Sequence, residues 1–212
     1  MSHLKHLRHQ GAVVTALGKT ALRVIRQKQR GVSRDAAPPQ TPGPWLEETI
    51  APRDPQLVRD YVRHLGGNPR AYRGILPPHL YPQWGFPLFS RTLDGVSYPL
   101  DRVLNGGCSF EVNAPLPSDK PLRLKARLDD VDDDGRRAIL FQRLVTGTDE
   151  HPEALVATAQ AIVPLKKDKS RKKKKKEPAR VPEGAREVAF WSLKPRDGQA
   201  FAALTGDVNP IH

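Results

Sequence analysis

Asp207 and His212 lie five residues apart, with Pro210 between them, in a chain of 212 residues. A carboxylate and an imidazole at that spacing suit proton transfer to and from a bound water. The imidazole, with an ordinary pKa of about 6.5, exchanges protons near neutral pH, and the carboxylate can hold the water and share the proton. Pro210 disfavours a continuing helix, so the chain turns there and both side chains can face one point. Gly206 can adopt the left-handed conformation that ends a helix. Asn209 can fix the loop through local backbone hydrogen bonds. Thr205 reads as structural. The plain alternative is a helix end followed by an Asx/Pro turn, with a surface Asp and His.

The elements that must position this loop occur twice. Pro52-Arg53-Asp54 returns as Pro195-Arg196-Asp197. Each triplet follows a strand-like stretch (Trp45 to Ile50; Glu187 to Leu193). Each precedes a helix with an aromatic and leucines (Tyr61 and Leu65; Phe201 and Leu204). Each helix runs into Gly and then Asn-Pro, at Gly66-Gly67-Asn68-Pro69 and at Gly206-Asp207-Val208-Asn209-Pro210. The triplets are 143 residues apart and the Asn-Pro pairs 141, which points to an internal duplication. A first copy ending near Leu165 predicts a second ending at roughly residue 307, so the chain reads as a fragment with about a hundred residues to come. In the first copy no Asp aligns with Asp207, and Tyr72 stands near the place of His212. That copy is expected to be non-catalytic.

Phe201-Ala-Ala-Leu-Thr-Gly-Asp-Val-Asn-Pro-Ile-His212 resembles the signature of MaoC-like (R)-specific enoyl-CoA hydratases and dehydratases, an aromatic helix leading into Ser/Thr-Gly-Asp-x-Asn-Pro-Ile/Leu-His. Every signature position present fits, up to the His. More loosely, Pro77-Pro78, Trp84-Gly-Phe-Pro87 and the strands after Arg102 resemble the N-terminal half of the two-hot-dog members. The resemblance implies an α+β hot-dog fold, an antiparallel sheet around a central helix, here a double hot-dog with the second copy incomplete. It implies hydration of a trans-2-enoyl thioester, or dehydration of its (3R)-hydroxyacyl counterpart, in fatty acid metabolism. Asp207 and His212 would hold one water that attacks C3, with Asn209, Gly206 and Pro210 supporting the loop. A backbone N–H beyond residue 212 would stabilise the enolate. The substrate would be a thioester of CoA or acyl-carrier protein, with no cofactor and no metal. Arg70 and Arg73 are candidates for the CoA phosphates, against a reading as solvated turn arginines. His79 and His151 receive no role. The rival to the enzyme is a non-enzymatic acyl-thioester-binding or scaffold protein with basic docking tails. A thioesterase is a weaker option, since fold alone does not fix function.

Composition sets the frame. The net charge of +12 suggests nucleic acid at first. Yet Met1 to Arg34 carries eight Lys or Arg and no acid, and Lys166 to Lys176 carries nine against Asp168, so each contributes +8. Removing both leaves −4 for everything else. The basicity therefore sits in two appendages, which argues against a nucleic-acid surface on the folded part. Residues 1–34 predict a basic amphipathic helix, with Val14, Leu17, Ala21 and Ile25 on one side and Lys19, Arg23, Arg26 and Arg30 on the other. It is read as a helix packed loosely on the body, as an anionic-membrane or partner anchor giving peripheral membrane contact, or as a transit peptide. Residues 35–44 form a Pro-rich linker and 166–184 a Lys-rich one. Residues 45–165 are the first hot-dog domain and 185–212 begin the second.

Within 45–165, Trp45 to Ile50 predicts a strand. Asp54-Pro55 opens a helix with Leu57, Val58, Tyr61, Val62 and Leu65 on one face. A short buried helix is expected after Pro87. Arg102 to Val112, Leu122 to Asp129, Ala138 to Gly147 and Leu155 to Leu165 predict four strands, and the short turns between them imply an antiparallel meander. Cys108, the lone cysteine, excludes a disulfide framework and a cysteine zinc site within one chain, and is expected to be a small buried hydrophobe. No apolar run reaches the ~18 residues that span a bilayer. A cytoplasmic location and a homodimer complete the expectations.

Overall fold

The computed structural model describes residues 3–30, 38–165 and 181–207. The Lys-rich run from Lys166 to Lys176 lies outside the described residues. A 3-10 turn (His3–His9) leads into α1 (Gly11–Arg30), followed by β1 (Leu46–Ile50), α2 (Pro55–His64) and α3 (Pro82–Thr92). Then come β2 (Leu104–Val112), β3 (Leu122–Asp133), β4 (Arg137–Gly147), β5 (Leu155–Pro164) and finally α4 (Pro195–Thr205).

The five strands make one antiparallel sheet in the order β1-β3-β4-β5-β2. The expected four-strand meander holds only for β3-β4-β5. β2 pairs with β5 at one edge, so the segment between β2 and β3 crosses the end of the sheet instead of joining neighbours. Its nine residues can reach ~30 Å, whereas three strand spacings need only ~14 Å. A short link therefore does not dictate adjacency. The crossing is pinned on the way by Leu76 N–H donating to Leu116 O (2.8 Å) and Ser118 N–H donating to Gly74 O (3.0 Å).

α3 lies against the sheet and is the central helix of a hot-dog fold. It starts earlier than the sequence suggested, at Pro82, and carries Pro87 inside. Pro82 at the first position forfeits nothing, because that N–H has no helical partner anyway. Trp84, Leu88 and Phe89 bury with Leu122, Leu124 and Ala126 of β3, Leu144 of β4 and Leu155 and Ala157 of β5. Alternation along β3 puts Leu122, Leu124, Ala126 and Leu128 inward and charges outward, as a half-buried strand requires. Trp84 Nε1 donates to Thr146 Oγ1 (3.2 Å), so the indole brings no unpaired donor into the core.

Gly85 sets the approach of α3 to β4: a Cβ there would stand 2.6 Å from Leu144 Cδ2, and Leu144 is fully buried. Gly85→Ala gains about 1 kcal/mol of helix propensity but costs about 1–3 kcal/mol in overpacking. The expected outcome is a net loss near 1 kcal/mol, read as a lower urea midpoint. A raised midpoint would mean that α3 stands off the sheet.

Two further expectations are corrected here. Cys108 is exposed, because β2 is an edge strand with a single neighbour. The inner face of α1 is also rotated from the predicted one. Val13, Ala16, Leu17, Thr20 and Val24 face the body, whereas Val14, Ala21 and Ile25 are exposed. Arg23, expected on the solvent stripe, turns inward to donate to Ser90 O (3.1 Å) and pair with Asp94. Thr20 Oγ1 lies 2.7 Å from Ser90 Oγ. Two apolar stripes run along α1, and the one with small residues lets the helix approach α3. No described helix is long and apolar enough to cross a membrane.

Candidate active site

α4 leads into the stretch expected to carry the acid–base pair. Its start is fixed by Pro195 at the first position and by the Asp197 carboxylate, which accepts from Lys194 N–H (2.7 Å). Its inner side buries Ala203 and Leu204 completely, and Leu204 joins the same core as α2 and α3. It ends as expected at Gly206, whose φ of 81° is left-handed and whose N–H donates to Ala202 O (2.8 Å). Thr205 Oγ1 donates to Phe201 O (2.9 Å) and accepts from Asp207 N–H (3.2 Å), the structural role expected of it. Asp207 then emerges exposed. Asn209, Pro210 and His212 lie outside the described residues, so the structure places Gly206 and Asp207 of the expected set.

α2 and α4 are built alike. From Pro55 to Pro195 and from Gly66 to Gly206 the displacement is 140 residues, and Gly66, like Gly206, has a left-handed φ (78°). The two triplets serve one purpose in different registers. Asp54 precedes α2 and accepts from Gln56 N–H (2.8 Å) and Leu57 N–H (2.9 Å), whereas Asp197 sits inside the first turn of α4. The Leu57 amide, against opposing burial, holds the Asp54 carboxyl below its ordinary range. The His64 ring lies 6.3 Å from that of Phe201, so the equivalent helices touch. The strand expected over Glu187 to Leu193 is not formed. No described strand pairs with that stretch, and Val188, Phe190, Trp191 and Leu193 are exposed.

After α2 the described residues hold no counterpart of the expected Asp–His pair. Tyr72 packs edge-on against His79 (6.2 Å), and the Tyr61 ring lies 5.4 Å from His79. Tyr61 donates its hydroxyl to His79 O (3.2 Å). Burial raises the Tyr61 hydroxyl to about 12 and lowers the pKa of His79. Burial thus favours the neutral forms, which suits packing.

Arg70 and Arg73 line one groove of about 490 Å³ together with Arg59 and Arg63, which sequence reasoning missed. No carboxylate is among the described residues that line it. Asn68 Oδ1 accepts from Arg70 N–H (3.0 Å), fixing the turn that carries both predicted arginines. Arg59 and Arg63 sit one turn apart on the outer side of α2. An i, i+4 arginine pair flanking an Asn-Pro-Arg turn was the signal available in the sequence.

A third feature had little sequence signal. Asp60, on the buried side of α2, receives the N-terminal segment: His6 Nε2 lies 2.9 Å and Lys5 Nζ 3.0 Å from its Oδ2. Gln56 Nε2 donates to Oδ1 (2.7 Å), and an Arg63 guanidinium nitrogen lies 3.4 Å from it. Burial works to raise the Asp60 pKa, but the hydrogen bonds from His6 and Lys5 outweigh it and hold the carboxyl at about 2.

No protein-family profile matches the chain, and no curated protein sequence does. Solved structures do. A MaoC-like dehydratase from Phytophthora capsici aligns at 21% identity and TM-score 0.57, over 80% of this chain and 64% of its own. HtdX of Mycobacterium tuberculosis aligns at 17% identity and TM-score 0.56, over 79% of this chain and 64% of its own. The full-length peroxisomal multifunctional enzyme type 2 from Drosophila melanogaster aligns at 16% identity and TM-score 0.51, over 79% of this chain and 31% of its own. The chain thus has the hot-dog fold of MaoC-like dehydratases, and it spans 64% of the length of the first two structures.

Proposed function

We propose that the chain carries the first hot-dog copy and the opening of the second of a MaoC-like (R)-specific enoyl-CoA hydratase or (3R)-hydroxyacyl-CoA dehydratase. The observation that carries this is local: α4 ends in a left-handed Gly206 that turns out Asp207 at the expected point of the motif. The fold and the 140-residue displacement of α2 and α4 support a two-copy reading. In the reaction, water adds across C2=C3 of the enoyl thioester. Its oxygen bonds to C3 as one proton passes to the Asp207–His212 pair, and C2 receives a proton as the enolate collapses. Water and substrate balance the product, so no redox partner enters. The first copy, with Tyr72 and His79 packed together, would widen the acyl pocket without doing chemistry.

The test is a protein extended to about residue 307, assayed for loss of conjugated absorbance with crotonyl-CoA and longer enoyl-CoAs. Turnover supports the reading, and a folded, inert protein that turns over no acyl thioester overturns it. Arg70 and Arg73 are proposed to meet the CoA phosphates. Replacing both by Ala should raise KM for enoyl-CoA about tenfold while leaving a pantetheine thioester, which lacks the nucleotide phosphates, unchanged. Equal effects on both substrates would return these arginines to the solvent.

The exposed stripe on α1 favours a second reading beside the first. Val14, Ala21, Leu22 and Ile25 share the outer face, with Lys19 and Arg26 next to them. That pairing suits peripheral contact with an anionic bilayer. Co-sedimentation with phosphatidylserine vesicles should fall steeply with salt and disappear in Leu22→Glu/Ile25→Glu. Sedimentation that survives both changes would rule α1 out as the contact.

A further inference from the structure

The last turn of a helix leaves backbone carbonyls without helical partners. In α4 two of these, Ala203 O and Leu204 O, sit on fully buried residues immediately before the Gly206 turn. Both accept from one side-chain amide: Gln10 Nε2 donates to Leu204 O at 2.9 Å and to Ala203 O at 3.1 Å. Gln10 is itself fully buried, and it lies almost two hundred residues upstream, ahead of the hot-dog copy. Its own oxygen is not idle. Gln83 Nε2, from the first turn of the central helix, donates to Gln10 Oε1 (3.2 Å) and to His9 O (3.4 Å). Arg53 in turn donates to Gln83 Oε1 (3.1 Å) and, through Nε and Nη2, to Ala51 O. A polar relay thus runs from the Pro52-Arg53-Asp54 triplet through α3 and the N-terminal segment to the exit of α4.

The exit is also sterically fixed by the same segment. A Cβ at Gly206 would meet Val13 Cβ at 2.9 Å and Gln10 Oε1 at 3.0 Å. The backbone at Gly206 therefore has contacts on the side that Gln10 and Val13 occupy and a left-handed φ that only glycine takes cheaply. One residue later comes Asp207.

We infer that Gln10 is a positioning residue for the Asp207 loop, acting through the C-terminal carbonyls of α4, with Gln83 holding Gln10 in the donating orientation. The inference rests on the hydratase reading of Asp207 for its effect on rate. It gives the N-terminal extension a task distinct from anchoring or targeting: it clamps the helix end from which the acid–base pair departs. A loop displaced by about 1 Å can lose ~100-fold in rate while substrate still binds, because alignment at the reacting carbon is lost first.

The test uses the full-length protein with Gln10→Met, which keeps the volume and removes both donors. The expected result is a kcat about 10- to 100-fold lower, with KM within about twofold. Amide hydrogen exchange at Gly206 and Asp207 should also be faster by about tenfold, with β3, β4 and β5 unchanged. Gln83→Met should show the same pattern more weakly. Suppose instead that Asp207→Asn abolishes activity but Gln10→Met matches the unsubstituted protein in kcat and exchange. The positioning role is then overturned and the hydratase reading stands. If Asp207→Asn is fully active, the hydratase reading falls and exchange alone decides: acceleration confined to Gly206 and Asp207 supports the clamp, and unchanged rates overturn it.

Discussion

Asp207→Asn in the full-length protein is expected to lower kcat for enoyl-CoA hydration by about 10²- to 10⁴-fold, and His212→Ala by a similar factor. The two should not add. If one water is held and deprotonated by the pair, removing either member leaves no competent proton path. The double variant should then be no slower than the worse single variant, as found when catalytic groups act as a unit. Separate roles, such as a base on one and mere charge stabilisation on the other, would give multiplicative losses. The Asn substitution is chosen because its side chain keeps the size of Asp207 and can still bond to water but cannot take its proton. Asp207 is exposed at the end of α4, so the loss is expected in rate and not through collapse of the core. A kcat unchanged in both single variants would remove the dyad from the mechanism. Multiplicative losses would keep it but assign the two residues independent tasks.

What the sequence made legible follows from the reach of each interaction. β3 was readable because its inward residues recur every second position, and a half-buried strand imposes that period locally. The end of α4 was readable because only a left-handed turn favours glycine there. β2 was misplaced because its partner, β5, is chosen by how the sheet wraps α3, and no residue of β2 or of the following turn records that choice. The expected burial of Cys108 failed for the same reason, since an edge strand and a central strand can share one pattern. α1 misled because it carries two apolar stripes, and hydrophobicity alone cannot say which meets the body. The strand expected at Glu187 to Leu193 has the residues of a strand, but a strand is completed by a neighbour, and no described strand supplies one. Gln10 and Gln83 were hardest to see, because a buried polar contact between distant segments has no period. The available hint was Gln83 itself, a lone amide in the aromatic run Pro82 to Phe89.

Asp60 is the other residue whose loss should be felt strongly, through stability instead of chemistry. It is the acceptor shared by His6, Lys5, Gln56 and Arg63, and it is 6% exposed. Removing one member of a buried charged cluster costs about 3–5 kcal/mol when the others stay in place. Here the N-terminal segment can peel away and rehydrate His6 and Lys5, so Asp60→Ala should cost about 3 kcal/mol. The pH dependence has a fixed sign. The folded protein holds this carboxyl at about 2, below its ordinary 3.8, so the unfolded chain takes up the proton first as pH falls. The contribution is complete above about pH 5, shrinks as pH falls through the ordinary value, and is gone only below about pH 2. Lowering the carboxyl from 3.8 to about 2 corresponds to about 2 kcal/mol. Urea titrations of the full protein and of Asp60→Asn between pH 2 and 6 should converge by roughly that amount as the pH drops. Because the same segment carries Gln10, acid should also speed exchange at Gly206 ahead of global unfolding. A stability difference that stays constant from pH 6 to 2 would mean that Asp60 is protonated, or unpaired, in the folded protein.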